Sequence, residues 1–154
     1  MNIGGIQKIS TVDYPGYVVA SIFTLGCNMR CGYCHNPELA LPEQLVEPIP
    51  TEEVLEFLES RRGLLDGVAI SGGEPTMQQD LVAFIAKIKT MGLRVKLDTN
   101  GTNPAMLKEL LAAKLVDFIA MDIKGPLEKY VQIAARPVDL GAIQESIALI
   151  KTID

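Results

Sequence analysis

A chain of 154 residues that is 48% hydrophobic is long enough for one domain with a substantial core. Its net charge of −5 and pI near 4.9 argue against the basic stripe of a nucleic-acid-binding surface, and no run reaches the ~20 apolar residues of a membrane span. Met1-Asn2-Ile3-Gly4-Gly5 has neither a charged n-region nor a long apolar stretch, so no export signal is read. Cysteines in an unexported chain point to the reducing cytoplasm.

In chain order, residues 1–17 read as an extended entry that turns at Asp13-Tyr14-Pro15-Gly16. Val18–Leu25 is a near-continuous apolar, β-rich run, which predicts a strand buried on both faces. Gly26 ends it. Cys27, Cys31 and Cys34, the only cysteines of the chain, follow in a C-x3-C-x2-C array. Residues 37–50 hold four of the nine prolines and read as a connecting loop. Thr51 is the expected N-cap of a helix carrying Glu52 and Glu53 in its first turn, Val54, Leu55 and Leu58 on one face, and Gly63 at its close.

The pattern then repeats. A short strand, Gly67–Ser71, leads to Gly72-Gly73-Glu74-Pro75-Thr76, and residues 78–91 form a helix closed by Gly92. A third strand, Leu93–Leu97, leads to Asp98-Thr99-Asn100-Gly101-Thr102 and a helix from Pro104 to about Ala113. A fourth, Val116–Met121, leads to Asp122-Ile123-Lys124-Gly125-Pro126. A short helix over 127–134 and a longer one from Leu140 to Ile153 complete the chain. Strand–helix alternation predicts an α/β fold with a parallel sheet of four strands, or five with the N-terminal segment, joined by right-handed crossovers. Each strand leads into a polar, glycine-containing loop, and in such a sheet these loops share the C-terminal edge, where ligands bind. Four separated motifs are therefore expected to meet at one site.

Three thiolates within eight positions suit a soft metal centre. An odd count at these spacings argues against a disulfide framework. Cys31-Gly32-Tyr33-Cys34-His35 fits the c-type haem pattern, but that needs export and leaves Cys27 without a role. Zinc with His35 as fourth ligand and an iron–sulfur cluster on three thiolates stand about level on spacing alone.

The cysteine array, with Tyr33 in its aromatic slot, resembles the signature of the radical S-adenosylmethionine (SAM) superfamily. Ser71–Pro75 resembles that superfamily's Gly-Gly-Glu motif. Cys34-His35-Asn36-Pro37, Leu97–Gly101 and Met121–Lys124 resemble the glycyl-radical-enzyme activases. Gly4–Lys8 and Val12–Gly16 are most similar to the activating proteins of anaerobic ribonucleoside-triphosphate reductase. The resemblance runs over roughly the whole chain.

It implies a partial (β/α) barrel with four to five strands present instead of six, in a single core domain, residues 1–154, without the last two β/α units. It further implies a [4Fe–4S] cluster on Cys27, Cys31 and Cys34, with SAM chelating the fourth iron. Reductive cleavage by a cluster of potential down to about −700 mV would yield a 5′-deoxyadenosyl radical. That radical would take hydrogen from a glycine of a glycyl-radical enzyme, here the anaerobic reductase, with flavodoxin or ferredoxin as electron donor. Gly72 and Gly73 would permit close backbone approach, Glu74 would meet the SAM amino group and Lys124 its carboxylate. Tyr33 and His35 would lie along the adenine, and Asn100 would join the SAM contacts. Asp98, Thr99, Asp122 and the Ala120 carbonyl would hold a monovalent cation. A chain this short is expected to bind a cluster, to bind SAM weakly and to activate poorly. The alternatives are a small-molecule radical SAM enzyme such as a deazapurine synthase, and a non-catalytic metal-binding fragment.

Overall fold

The run Val18–Leu25 forms β2 (Val19–Thr24), the second strand of a five-stranded sheet in the order β1-β2-β3-β4-β5. The structure, a computed structural model, describes residues 1–41 and 46–152. Part of the loop expected over 37–50, and the expected helix end at Ile153, lie outside the described residues.

The elements are β1 (Ile3–Ser10), β2, α1 (Pro37–Ala40), α2 (Thr51–Ser60), β3 (Gly67–Gly72), α3 (Leu81–Thr90), β4 (Arg94–Thr99), α4 (Pro104–Ala112), β5 (Phe118–Met121), α5 (Tyr130–Ala134) and α6 (Leu140–Ile150). Strands β2 to β5 are parallel, as the alternation predicts. The N-terminal segment is indeed a fifth strand, but it runs antiparallel to β2, with Ile6 opposite Ile22. The short turn around Asp13–Gly16 permits only that direction, since a parallel return needs a crossover. Among the described residues β5 has a neighbouring strand on its β4 side only, so it stands at an edge of the sheet.

Period-two alternation divides the sheet. Ile22, Ile70, Leu97 and Ile119 lie in register on one face. There they join Val54 and Leu58 of α2, Phe84, Ile85 and Ile88 of α3, and Leu107 and Leu110 of α4 in the main core. Each such side chain contributes about 1.5–3 kcal/mol on burial. The other face carries Ser21, Ala69, Lys96 and Phe118 in register. Below them Tyr14 packs edge-on against Tyr17, with ring centroids 4.8 Å apart, and against Phe118.

Caps fix the crossovers. Asn103 Oδ1 accepts from the Met106 amide at 3.2 Å, with Pro104 opening α4 as expected. Asp139 Oδ1 accepts from the Gly141 amide at 2.8 Å at the start of α6. Thr51 differs from expectation: Pro50 is the N-cap and Thr51 the first helical residue. The cause lies upstream. The Ile49 amide donates to the Ile3 carbonyl at 2.7 Å, which holds the chain extended through Ile49. The Thr51 hydroxyl instead donates to the Met1 carbonyl. Among the described residues no helix is long and apolar enough to cross a membrane.

Candidate metal and cofactor site

The four loops that follow the parallel strands do gather at one rim. They line a cavity of about 710 Å³, a size suited to a small-molecule ligand. Every residue given a role from the sequence lines it except Ala120, which lies opposite Asp98 in the β4–β5 register.

The cysteine loop is held from several sides. Gly26, in the left-handed region at φ +89°, turns the chain out of β2. The Gly26 amide donates to the Leu39 carbonyl at 2.7 Å, closing the loop at its base. Met29 is buried against Tyr130, Ala134 and Ile143, so the loop's underside belongs to a second core built on α5 and α6. The Arg30 amide donates to the Ala134 carbonyl, and Arg30 Nη1 donates to the carbonyls of Cys27 and Met29 at 2.6 and 2.7 Å. Asn28 accepts from Asn100 Nδ2 at 2.9 Å and donates to Thr102 Oγ1 at 2.8 Å, tying the loop to the end of β4. Ser146 of α6 donates to the Gly101 carbonyl and supports that end from behind. Asn28, Met29, Arg30 and Ser146 had no assigned role in the sequence. An apolar side chain inside an otherwise polar loop, as Met29 is, was the available signal of an anchor.

Gly72 and Gly73 are needed by the protein's own backbone. A Cβ on Gly73 would stand 2.0 Å from the Gly26 carbonyl oxygen, and one on Gly72 would stand 2.3 Å from the Thr24 amide nitrogen. This close approach lets the Glu74 amide donate to the Gly26 carbonyl at 2.8 Å. The Glu74 side chain is buried, at 1% exposure. Its Oε1 accepts from the Thr76 amide, the Thr76 hydroxyl and the Thr99 hydroxyl, and its Oε2 accepts from the Asn100 amide at 2.7 Å. Burial pushes its carboxyl above the usual range despite these donors.

The other charged groups form short pairs. Asp98 Oδ1 accepts from Lys96 Nζ at 2.5 Å, and Asp122 Oδ2 accepts from Lys124 Nζ at 2.8 Å. Burial works against the Lys124 charge, but the Asp122 hydrogen bond and charge outweigh it and raise the amine. The Thr99 hydroxyl is engaged by Glu74 and by the Gly101 amide. Both carboxylates expected to hold a monovalent cation thus already have an ammonium partner, and the set does not fit a metal cation. Tyr33 and His35 are exposed on the rim, with the Tyr33 hydroxyl donating to the Lys124 carbonyl at 3.3 Å.

The three cysteines are free thiols. Burial raises the thiols of Cys27 and Cys31; at Cys31 the Lys124 charge opposes it. Metal binding here would therefore release protons. A cluster takes each thiolate on a different iron, and three separated thiols facing one cavity fit that donor set.

The sequence profile of the Radical SAM superfamily matches residues 21–153. The chain belongs to the radical SAM superfamily. Membership implies a [4Fe–4S] cluster and SAM as cofactors, and the thiol donor set agrees. Among relatives, the chain is 43% identical over 129 residues to a protein of Methanocaldococcus jannaschii named, provisionally, as a glycyl-radical enzyme activating enzyme; the match covers 83% of this chain and 52% of that one. It is 34% identical over 130 residues to the pyruvate formate-lyase-activating enzyme of Clostridium pasteurianum, covering 79% and 52%. It is 30% identical over 149 residues to the enzyme of that name from Staphylococcus aureus, covering 88% and 58%. The chain thus spans little more than half the length of these relatives. Among solved structures its fold is similar to that of QueE from Escherichia coli, with a TM-score of 0.56 at 17% identity over 99% of this chain and 77% of that one. Against TYW1 the TM-score is 0.50 at 18% identity, over 87% and 49%.

Proposed function

We propose that the chain is the radical SAM core of a glycyl-radical-enzyme activase, acting on anaerobic ribonucleoside-triphosphate reductase in the cytoplasm. Residues 1–154 belong to one core domain on this reading. The observation that carries it is the meeting of Glu74, Asp98 and Lys124 with all three cysteines around one cavity. The names of the relatives support the activase assignment.

Cys27, Cys31 and Cys34 would hold the cluster. When bound, a [4Fe–4S] centre supplies the electron that cleaves SAM to methionine and a 5′-deoxyadenosyl radical. The chain's own residues receive and orient the cofactor. Among the described residues Glu74 Oε2 accepts one hydrogen bond, and a buried carboxylate with an open acceptor position favours an ammonium. That matches the SAM amino group. Lys124, steadied by Asp122, offers a cation to the SAM carboxylate. Tyr33 and His35 flank the mouth, where the adenine would lie, and Asn100 closes the wall beside Cys27. The electron would come from a flavodoxin or ferredoxin.

Anaerobic reconstitution tests this directly. The expected result is about four irons per chain, SAM-dependent formation of 5′-deoxyadenosine after reduction, and a glycyl radical signal with the reductase but not with pyruvate formate-lyase. One zinc and no iron would overturn the enzyme assignment. A radical on the lyase alone would move the partner.

A further inference from the structure

The turn at Asp13–Gly16 has no part in the cofactor chemistry above, yet Asp13 reaches the inner face of the sheet. Its Oδ2 accepts from Ser21 Oγ at 2.5 Å, while Ser10 Oγ accepts from the Asp13 amide at 3.2 Å and braces the turn. Ser21 is buried and shares a row of the sheet with Ala69 and Lys96. Lys96 is 8% exposed, and its Nζ bonds Asp98 Oδ1 at 2.5 Å. Asp98, two residues on and one row higher, borders the cavity. The Ser21 hydrogen bond, opposed by burial and aided by Ser10 and the Lys96 charge, holds the Asp13 carboxyl below its usual range. A buried ammonium is costly unless carboxylates compensate it. Here one carboxylate touches it and a second lies within its field.

We propose that Lys96 is the site's built-in monovalent cation: a positioning residue whose ammonium neutralises Asp98 from beneath the cavity, where the family resemblance places a free monovalent cation. The ammonium is a compact point charge with three donors, similar in charge and ligand preference to such an ion. A metal ion at the same carboxylate would face it as a like charge. Lys124 pairs with the more exposed Asp122. The Asp13 turn then has a reason to fold under the sheet, since it brings a second negative charge toward the buried Lys96 ammonium. The role rests on this cavity being the SAM site, but the ion replacement does not, and it can be read without cofactor.

Thermal melts of the full chain in choline chloride, NaCl and KCl at equal ionic strength test it. The wild-type midpoint is expected to agree within about 1 °C across the three salts. Lys96→Gln is expected to melt lower in choline chloride and to regain about 3 °C or more in NaCl or KCl, as an ion occupies the vacated carboxylates. Lys96→Arg, which keeps the charge, is expected to stay indifferent to the salt. A wild-type chain stabilised by Na⁺ or K⁺ over choline by about 3 °C or more would overturn the proposal, whether or not the variants fold. So would a folded Lys96→Gln with no salt specificity. A wild-type chain that takes up no iron or SAM yet melts as expected overturns the proposed function and leaves the ion replacement standing.

Discussion

Two rows of one sheet, a single residue apart in every strand, were built for different work. Ile22, Ile70, Leu97 and Ile119 make a dry, apolar row against the helices. Ser21, Ala69, Lys96 and Phe118 make a mixed row on the inner face, with a paired charge at its centre and the cavity of the strand-end loops above it. Both are largely buried, so burial does not distinguish them. The side chains do: one row contributes stability through area and packing, while the other holds charges in fixed positions at some cost in stability. A strand such as β2, buried on both faces, therefore need not be apolar on both.

Four substitutions sharpen or break that contrast. The largest effect is expected above the inner row: Cys31→Ser should lower reconstituted iron from about four per chain to less than one, measured by iron and sulfide analysis, with an unchanged far-ultraviolet circular dichroism spectrum. In the dry row, Leu97→Ala should destabilise by about 2–5 kcal/mol in denaturant melts while leaving iron uptake intact in the folded fraction. Glu74 should make stability pH-dependent. Its folded-state carboxyl keeps its proton above its ordinary value of 4.5, so the native state binds more protons than the unfolded one, and stability falls as pH rises through that window. Relative to Glu74→Gln, the metal-free wild type should lose up to about 1.4 kcal/mol per pH unit above pH 4.5; a flat difference between pH 4.5 and 7 would mean that Glu74 is ionised throughout. The smallest effect is expected for Ser21→Ala, about 0.5–1.5 kcal/mol, from the lost bond to Asp13. A cost matching that of Leu97→Ala would erase the distinction between the rows.

The dry row and the rim were legible in the sequence; the inner row was not. Val68–Ile70 and Val95–Leu97 announce strands by composition, and each is followed by a loop with glycine and acid, so the common edge followed from topology alone. Lys96 reads as an ordinary alternating residue of a strand whose outer face could be wet, and nothing local says that Asp13 folds beneath it. Glu74 reads as a turn carboxylate, and its burial depends on Thr99 and Asn100, 25 and 26 residues away. Strand β1 carries Gly4 and Gly5, which weaken any strand signal. Gly4 is there because a Cβ would strike the Leu25 side chain. In each case the deciding partner is distant in sequence, where periodicity carries no information.

The bond from the Gly26 amide to the Leu39 carbonyl draws the cysteine segment into a noose whose knot is main chain. The entropy of bringing its ends together is met during folding, by protein atoms. Arrival of iron and sulfide then becomes a docking event on a pre-shaped collar, in contrast to small zinc domains that acquire their shape only when metal binds.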